Sequence, residues 1–364
     1  MNVWIFVRYT LVAVGIYVFL RFVLIFQLLG MWRWLAVIIS AVTVGLMVWQ
    51  KMLWGVLFYV VLLLAAGDII GLIFRSGQWE KIWYGGATGI VIALAISVYG
   101  YFHAQNIKTT HYDVHIAKEV SGVKRLRAVL VSDLHLGSAV FGEKELRTLA
   151  PRINELKPDI VFLGGDIYDR TSQELIDKSL EIWRTVNAPR GIYFVGGNHE
   201  YGRYYGDNMP AMFPKLASAG IRVLEDERVL VDNAFYIIGR IDAGPRRSRS
   251  AHFVRPLRPP VTDLISGADM SKPVLLLDHQ PIELDAASEA GVDLFMAGHT
   301  HAGQLWPFGL AVMLAAPNDV LYGKAQRGNM QVIVSSGAGV WEAPMRVGTN
   351  SEIVVIDIML GRQI

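Results

Sequence analysis

The stretch that most constrains this chain runs from residue 34 to residue 74. It is apolar throughout except for Gln50-Lys51. At 1.5 Å rise per residue a single helix over it would be about 60 Å long, twice the hydrocarbon thickness of a bilayer. The run must fold back, and Gln50-Lys51 is the only polar place for the turn. That predicts two spans, near 34–50 and 52–74. Further apolar runs cover about 5–29 and 83–104, the last following a polar loop, Arg75–Lys81. Residues 1–104 therefore read as a four-helix transmembrane region. Trp32, Trp34, Trp49, Trp54, Trp79, Trp83 and Tyr101 fall near the span ends, as an interfacial aromatic belt requires. A cleaved signal peptide does not fit, because the first run is too long and more apolar segments follow.

This region holds much of the apolar content that brings the 364-residue chain to 53% hydrophobic. It carries six Lys or Arg and two acids, which leaves the remainder near neutral. A balance of that kind does not advertise nucleic acid as a partner. The chain has no cysteine, which excludes disulfides, thiolate metal sites and cysteine nucleophiles. Arg21 and Asp68 lie inside the predicted spans, at depths roughly 9–12 Å from span ends on one side, and are expected to pair. An even number of spans puts the N-terminus and residues 105–364 on one side. The Lys and Arg count of the loops does not decide the side; the expectation is a multi-pass protein of the bacterial inner membrane with residues 105–364 in the cytoplasm.

Residues 105–364 alternate short apolar runs with helix-like stretches. His111–Ile116 reads as an edge strand. Further strands are expected at 126–132, 159–164, 191–196, 221–224, 234–239, 273–277, 293–297, 330–335 and 352–358. Helices are expected at 143–156, 172–186, 210–219 and 281–290. Together these imply an α/β domain of layered sheets with helices outside.

Five motifs sit where apolar runs stop. They are Asp133-Leu-His135, Gly164-Gly165-Asp166-Ile-Tyr-Asp169, Gly197-Asn198-His199-Glu200, Asp278-His279-Gln280-Pro281 and Gly298-His299-Thr300-His301. Open α/β sheets place ligands at the C-terminal ends of their strands. On an extended chain, residues two apart point the same way, so Asp133 and His135 are expected to converge. Each motif alone has an ordinary reading, as a turn or a capping Asp. Five of the nine histidines, however, fall in these motifs. His103, His111, His115 and His252 lack such context and read as structural or surface residues.

With all five blocks present in order, residues 124–358 resemble the calcineurin-like metallophosphoesterase superfamily. The His-Tyr-Asp-Val-His opening (111–115) and the Gly-His-Thr-His-Ala-Gly-Gln run (298–304) resemble its YkuE-type branch, several members of which carry N-terminal membrane segments. The resemblance implies a double β-sandwich flanked by helices. It implies that Asp133, His135 and His301 hold one divalent metal ion and that Asn198, His279 and His299 hold a second. Asp166 bridges the two, and His199 is a catalytic histidine at the scissile phosphate. Arg240-Ile241-Asp242 and the basic loop Arg246–Arg249 have no clear counterpart in that pattern.

The chemistry of the residues agrees. Imidazole, carboxylate and amide oxygen suit Mn²⁺, Fe or Zn²⁺. Two cations about 3.5–4 Å apart repel, and a bridging carboxylate lowers that cost. A water between them is deprotonated near neutral pH and becomes an in-line nucleophile on phosphorus. His199 then stabilises charge or protonates the leaving oxygen. Asp169 and Glu200 either orient histidines or are simply solvated.

Four spans exceed what tethering needs, so the favoured substrate is a phosphodiester or pyrophosphate of a membrane lipid or lipid-linked phosphate. The alternatives are an anchored enzyme acting on a soluble nucleotide and a sensor or scaffold built on the same fold. Arg240, Arg246, Arg247, Arg249 and Arg346 either bind extra phosphate or form a solvated surface. Trp306, Phe308, Leu310 and Met313 form either a membrane-facing lip or ordinary core.

Overall fold

The computed structural model describes residues 3–50, 53–74, 76–120, 122–169, 171–201, 212–243, 257–310 and 320–361, with the side chains of 3–13 and 47–49 excluded. The chain divides into two compact units. One comprises residues 1–103 with Glu342–Val347, the other Ala104–Trp341 with Gly348–Ile364.

The first unit is helical: α1 (Val3–Leu28), α2 (Arg33–Trp49), α3 (Trp54–Phe74), α4 (Gly77–Trp83) and α5 (Ala87–Ala104). Two stretches, Trp54–Phe74 and Gly77–Ala104, are long and apolar enough to cross a membrane. Among the described residues, Val14–Leu28 and Arg33–Leu46 are apolar but shorter, so four spans remain an expectation for α1 and α2. Large apolar side chains such as Leu20, Trp34, Ile38, Leu72, Phe74 and Val98 are exposed along these helices. An apolar helix surface of that extent is stable in lipid or against a partner, not in water.

The 75–81 loop expected from the sequence is in large part a helix. Ser76 caps α4 by accepting from the Gln78 and Trp79 amides. Tyr84 then turns left-handed and Gly85 sits at φ 64°, so the last long helix begins at Ala87, not at residue 83. Arg21 and Asp68 do pair, and the Tyr17 hydroxyl also donates to Asp68 (2.5 Å).

The second unit runs β1 (Lys108–Ile116), β2 (Arg125–Val131), α6 (Glu143–Glu155), β3 (Ile160–Leu163), α7 (Gln173–Trp183), β4 (Ile192–Phe194), α8 (Phe213–Ser218), β5 (Ile221–Val223), β6 (Glu227–Val231), β7 (Phe235–Gly239), α9 (Val261–Ile265), β8 (Val274–Leu277), α10 (Leu284–Glu289), β9 (Leu294–Ala297), β10 (Gly323–Arg327), β11 (Met330–Val334) and β12 (Glu352–Leu360). Two six-stranded mixed sheets form, in the orders β1-β12-β2-β3-β4-β5 and β10-β11-β9-β8-β7-β6. As expected, β1 is an edge strand.

The inner strands β3, β4, β8 and β9 are buried on both faces, and the two-residue period of a strand sorts side chains between layers. From β2, Leu126, Ala128 and Leu130 join β8's Leu275 and Leu277 and β9's Leu294 and Met296 in the core between the sheets. Val129 and Val131 point the other way, onto α6, α7 and α8. Val274, Leu276, Phe295 and Ala297 likewise face α9 and α10. The layers are therefore helix, sheet, sheet, helix. Each fully buried Val, Leu, Ile or Phe contributes roughly 1.5–3 kcal/mol.

Two strands and a helix have no counterpart in the sequence reading. β10, Gly-Lys-Ala-Gln-Arg, is polar and half exposed, and is held by antiparallel pairing to β11. β6 is an edge strand paired to β7. Backbone pairing, not hydrophobic pattern, creates both edges.

Candidate metal centre

In the first sheet β2, β3 and β4 are parallel neighbours, and in the second β8 and β9 are. Their C-terminal ends supply every motif block. The β2 and β3 loops run side by side past the last strand residues: the Asp133 amide donates to Gly165 O, the His135 amide to Asp166 O and the Leu136 amide to Ile167 O.

Asp133 and His135 do converge, but not by the pleat expected from the sequence. Both lie in the left-handed region, with φ 53° and 48°, as do Asp166, His299 and His301. Strain of this kind costs of order 1–3 kcal/mol per residue and clusters at functional sites. Here it folds each strand end back so that the next side chain returns to the same point.

Three groups of ligand atoms assemble: Asp133, His135 and His301; Asp166, His279 and His299; and His135, Asp166 and His199. His135 Nε2 faces His301 Nε2 at 3.1 Å, and His301 Nε2 is 3.5 Å from Asp133 Oδ1. His299 Nδ1 faces His279 Nε2 at 3.1 Å, and His279 Nε2 is 3.2 Å from Asp166 Oδ2. Asn198 is buried, and its Oδ1 has no hydrogen-bond partner among the described residues. An amide oxygen in that state fits a site that supplies a cation. The donors are all nitrogen and oxygen, which suits borderline divalent ions. The residues present therefore fit a metal pair.

Surrounding groups fix these side chains. His279 Nδ1 lies 2.9 Å from Gly164 O, which assigns its proton there and leaves Nε2 free to ligate. Asp133 accepts from the His299 amide (3.0 Å) and from Ser132 Oγ. Asp166 Oδ1 accepts from the His199 amide (2.8 Å). Glu200 is fully buried and ties the ends of β3 and β4, accepting from the amides of Asp166 (2.9 Å), Tyr168 (3.0 Å) and Gly197 (2.8 Å). Burial, followed by the nearby Asp166 charge, raises its carboxyl. Asp169 Oδ1 lies 3.1 Å from His199 Nδ1, and its Oδ2 lies 3.7 Å from His135 Nδ1. Burial pushes the Asp169 carboxyl up, but the two imidazoles that face it outweigh that and hold the group below the usual carboxylate range. Burial lowers the His199 imidazole, yet the Asp166 and Asp169 carboxylates prevail and raise it. Asp169 and Glu200 are thus positioning groups in this geometry, not solvated ones.

Close packing replaces side chains at two glycines. A Cβ on Gly298 would meet Ser132 Oγ at 1.9 Å and Asp133 Oδ2 at 2.3 Å. Gly165, at φ +83°, has His279 Nδ1 where its Cβ would be, at 2.6 Å.

The calcineurin-like phosphoesterase family model matches residues 126–303. A metallophosphoesterase of Aquifex aeolicus is 30% identical over 268 residues, covering 73% of this chain and 97% of that protein. The chain belongs to the calcineurin-like metallophosphoesterase family. A transmembrane protein with metallophosphoesterase domain from Danio rerio is 31% identical over 278 residues, 73% of this chain and 61% of that one. The metallophosphoesterase YkuE of Bacillus subtilis is 27% identical over 262 residues, 71% of this chain and 87% of its own. This chain spans about three fifths of the length of several of the curated relatives it matches.

For this metallophosphoesterase, other positions depart from the sequence reading. Arg240 is not a surface phosphate binder: it is fully buried, with Nε on Asp226 (3.0 Å) and Nη2 on Pro259 O (2.7 Å). Arg346 is also fully buried. Arg246, Arg247, Arg249, His252 and Met313 lie outside the described residues. Trp306, Phe308 and Leu310 are about half exposed, so they are not core.

Three supports of the site were given no role in the sequence reading. Asp278, named there in a motif block, pairs with Arg258. Asp242, named there beside Arg240, is buried and accepts from Gln280 Nε2 (2.6 Å), next to His279. Gly337 and Gly339 buttress Asp133, the Gly339 amide donating to its carbonyl (2.8 Å). The sequence reading did not name the Ser-Ser-Gly-Ala-Gly run after β11, whose local signal is a glycine pair at a strand end.

Proposed function

We propose that this chain is a membrane-anchored, metal-dependent phosphoesterase that hydrolyses a phosphodiester or pyrophosphate bond of a lipid-linked substrate. The observation that carries the proposal is the convergence of Asp133, His135, Asp166, His279, His299 and His301; the buried Asn198 oxygen, without a hydrogen-bond partner among the described residues, is in keeping with it. Asp133, His135 and His301 would hold one cation and Asn198, His279 and His299 the other, with Asp166 shared between the two groups. When bound, two divalent cations neutralise the phosphoryl oxygens and activate the attacking water. His199 Nδ1 faces Asp169 Oδ1 at 3.1 Å, which would hold its proton there and leave Nε2, 3.9 Å from Asp166 Oδ2, available to a phosphoryl group. Its raised basicity equips it to donate a hydrogen bond to developing charge or a proton to the leaving oxygen.

The lipid part of the reading draws on three features. Two helices are long and apolar enough to cross a membrane. The Danio rerio relative is named as a transmembrane protein. Trp306, Phe308 and Leu310 expose apolar surface in the loop after His301. The same reading makes the chain a multi-pass protein of the bacterial inner membrane with the catalytic residues on the cytoplasmic side.

The test is elemental analysis of the purified full chain, with hydrolysis assayed on an aryl phosphodiester and on a lipid pyrophosphate. About two equivalents of metal, loss of turnover with a chelator, and preference for the lipid ester are expected. Metal-free protein with undiminished turnover sinks the phosphoesterase assignment. Equal turnover of lipid and water-soluble esters sinks the lipid one.

A further inference from the structure

The helical unit contains a cavity of about 500 Å³ lined by Arg21, Asp68, Ser76, Glu80, Trp79 and Trp83. That volume lies within the roughly 300–1,000 Å³ of typical ligand sites. We propose that it binds the ammonium-bearing headgroup of a zwitterionic phospholipid. The inference goes beyond the phosphoesterase reading and requires only that these helices lie in a bilayer.

Charge comes first. The described lining offers one cation and two carboxylates. Asp68 is already engaged on both oxygens. Arg21 and the Tyr17 hydroxyl approach Oδ2, and Trp83 Nε1 donates to Oδ1 at 3.3 Å. Among the described lining residues Glu80 therefore carries the excess negative charge, and a ligand complementary to them brings one positive group. Arg21 presents five N–H donors, of which its Nη2 faces Asp68, so donors remain for a phosphate. A cation and a phosphate on one small ligand describe a zwitterionic headgroup.

Aromatic surface comes second. Trp79 and Trp83 stack with ring centroids 5.7 Å apart and planes 13° apart. Their indole N–H groups are spent internally, Trp79 on Gly67 O (3.1 Å) and Trp83 on Asp68. The rings are thereby fixed, and what they offer a ligand is π surface, which attracts ammonium groups. Glycines on α3 make room for them. A Cβ on Gly67 would strike the Trp83 ring at 2.2 Å, and one on Gly71 would meet Trp79 at 3.1 Å.

Depth comes third. Arg21 lies seven residues before Leu28, the end of α1, and Asp68 six before Phe74, the end of α3. At 1.5 Å per residue both sit about 9–10 Å inside their helix ends, where headgroups meet acyl chains. A purely structural Arg–Asp pair accounts for two of these residues. It does not account for the volume that Glu80 and the two fixed indoles enclose beside the pair.

The test is native mass spectrometry of the full-length protein in detergent, doped with phosphatidylethanolamine or phosphatidylglycerol of matched chains. The wild type should retain the ethanolamine lipid about tenfold better, the weight of an ion pair with a cation–π contact. Glu80→Gln and Trp79→Leu should each bring the two lipids within about twofold. Glu80→Gln leaves the Arg21–Asp68 pair and the indole packing in place and should unfold as wild type does, whereas Trp79→Leu gives up the bond to Gly67 O and the Trp83 stack, so Glu80→Gln carries the test if Trp79→Leu is destabilised. Equal retention of both lipids by the wild type overturns the proposal, as does undiminished selectivity in both variants. Displacement of the lipid by millimolar spermidine assigns the cavity to soluble amines and overturns the lipid assignment. Asp166→Asn protein should bind the ethanolamine lipid as wild type does, so failure of the metal reading and failure of this one are separable.

Discussion

Removing the charge of Asp169 tests how one carboxylate serves two histidines. One oxygen sits 3.1 Å from His199 Nδ1 and the other 3.7 Å from His135 Nδ1. Asp169→Asn keeps the shape but replaces an acceptor by an amide that must present N–H to one ring. A hydrogen bond to a charged group contributes about 1.5–3 kcal/mol, and such supporting groups typically set metal affinity or rate by about 10–100-fold. The shorter contact is to His199, so most of the loss should fall on turnover, about 30–100-fold in kcat. The longer contact is to His135, so the metal concentration for half-maximal activity should rise by a smaller factor, about 3–10-fold. The assay is hydrolysis of an aryl phosphodiester across a Mn²⁺ titration, with His199→Ala alongside. His199→Ala should lower kcat without moving the metal dependence. If Asp169→Asn leaves both parameters within twofold of wild type, the carboxylate is not positioning either ring and the reasoning fails.

Gly298→Ala places a methyl group on Ser132 and Asp133. Metal content by elemental analysis should fall to near zero while circular dichroism stays unchanged, and a fully metallated variant would contradict the packing argument. Asp166→Asn should abolish turnover, because the position shared by two ligand groups loses its charge; turnover within tenfold of wild type would remove Asp166 from the site. Asp357 accepts from Arg127 and Arg125, which pull its carboxyl down to about 2. With the unfolded value near 3.9, its stabilisation is fully present above about pH 4 and is lost as pH falls through about 2. Asp357→Asn should therefore destabilise the catalytic unit by about 1 kcal/mol at neutral pH, with the deficit closing towards pH 2 in denaturant titrations. A deficit that persists unchanged at pH 2 would place the effect outside ionisation.

How much of the protein is legible in one dimension depends on the range of the forces involved. The parallel strands declare themselves because a strand buried on both faces must be a continuous apolar run, as Val-Leu-Leu-Leu in β8 is. The motif residues are legible because the chemistry of a metal pair needs imidazole, carboxylate and amide oxygen where such runs stop. β6 and β10 are less legible than β1, since β6 turns only Val229 and Val231 inward and β10 is a polar run held to β11 by backbone pairing. The left-handed turns at Asp133, His135, Asp166, His299 and His301 are not legible either, because Asp and His enter that region more readily than most residues yet do so only where tertiary contacts hold them.

The sequence by itself determined the apolar helices, the α/β class and the identity of the candidate ligands, since burial and coordination each select residue types locally. Only the tertiary structure decided that Arg240 is a buried brace for Asp226, that Asp278 turns away to Arg258, and that Asp169 sits between two imidazoles. It also brought Arg21, Asp68, Glu80 and the two indoles around one cavity. The physical reason is the same in each case. A charged side chain's role depends on which opposite charge lies within a few ångströms, and that neighbour comes from a distant part of the chain.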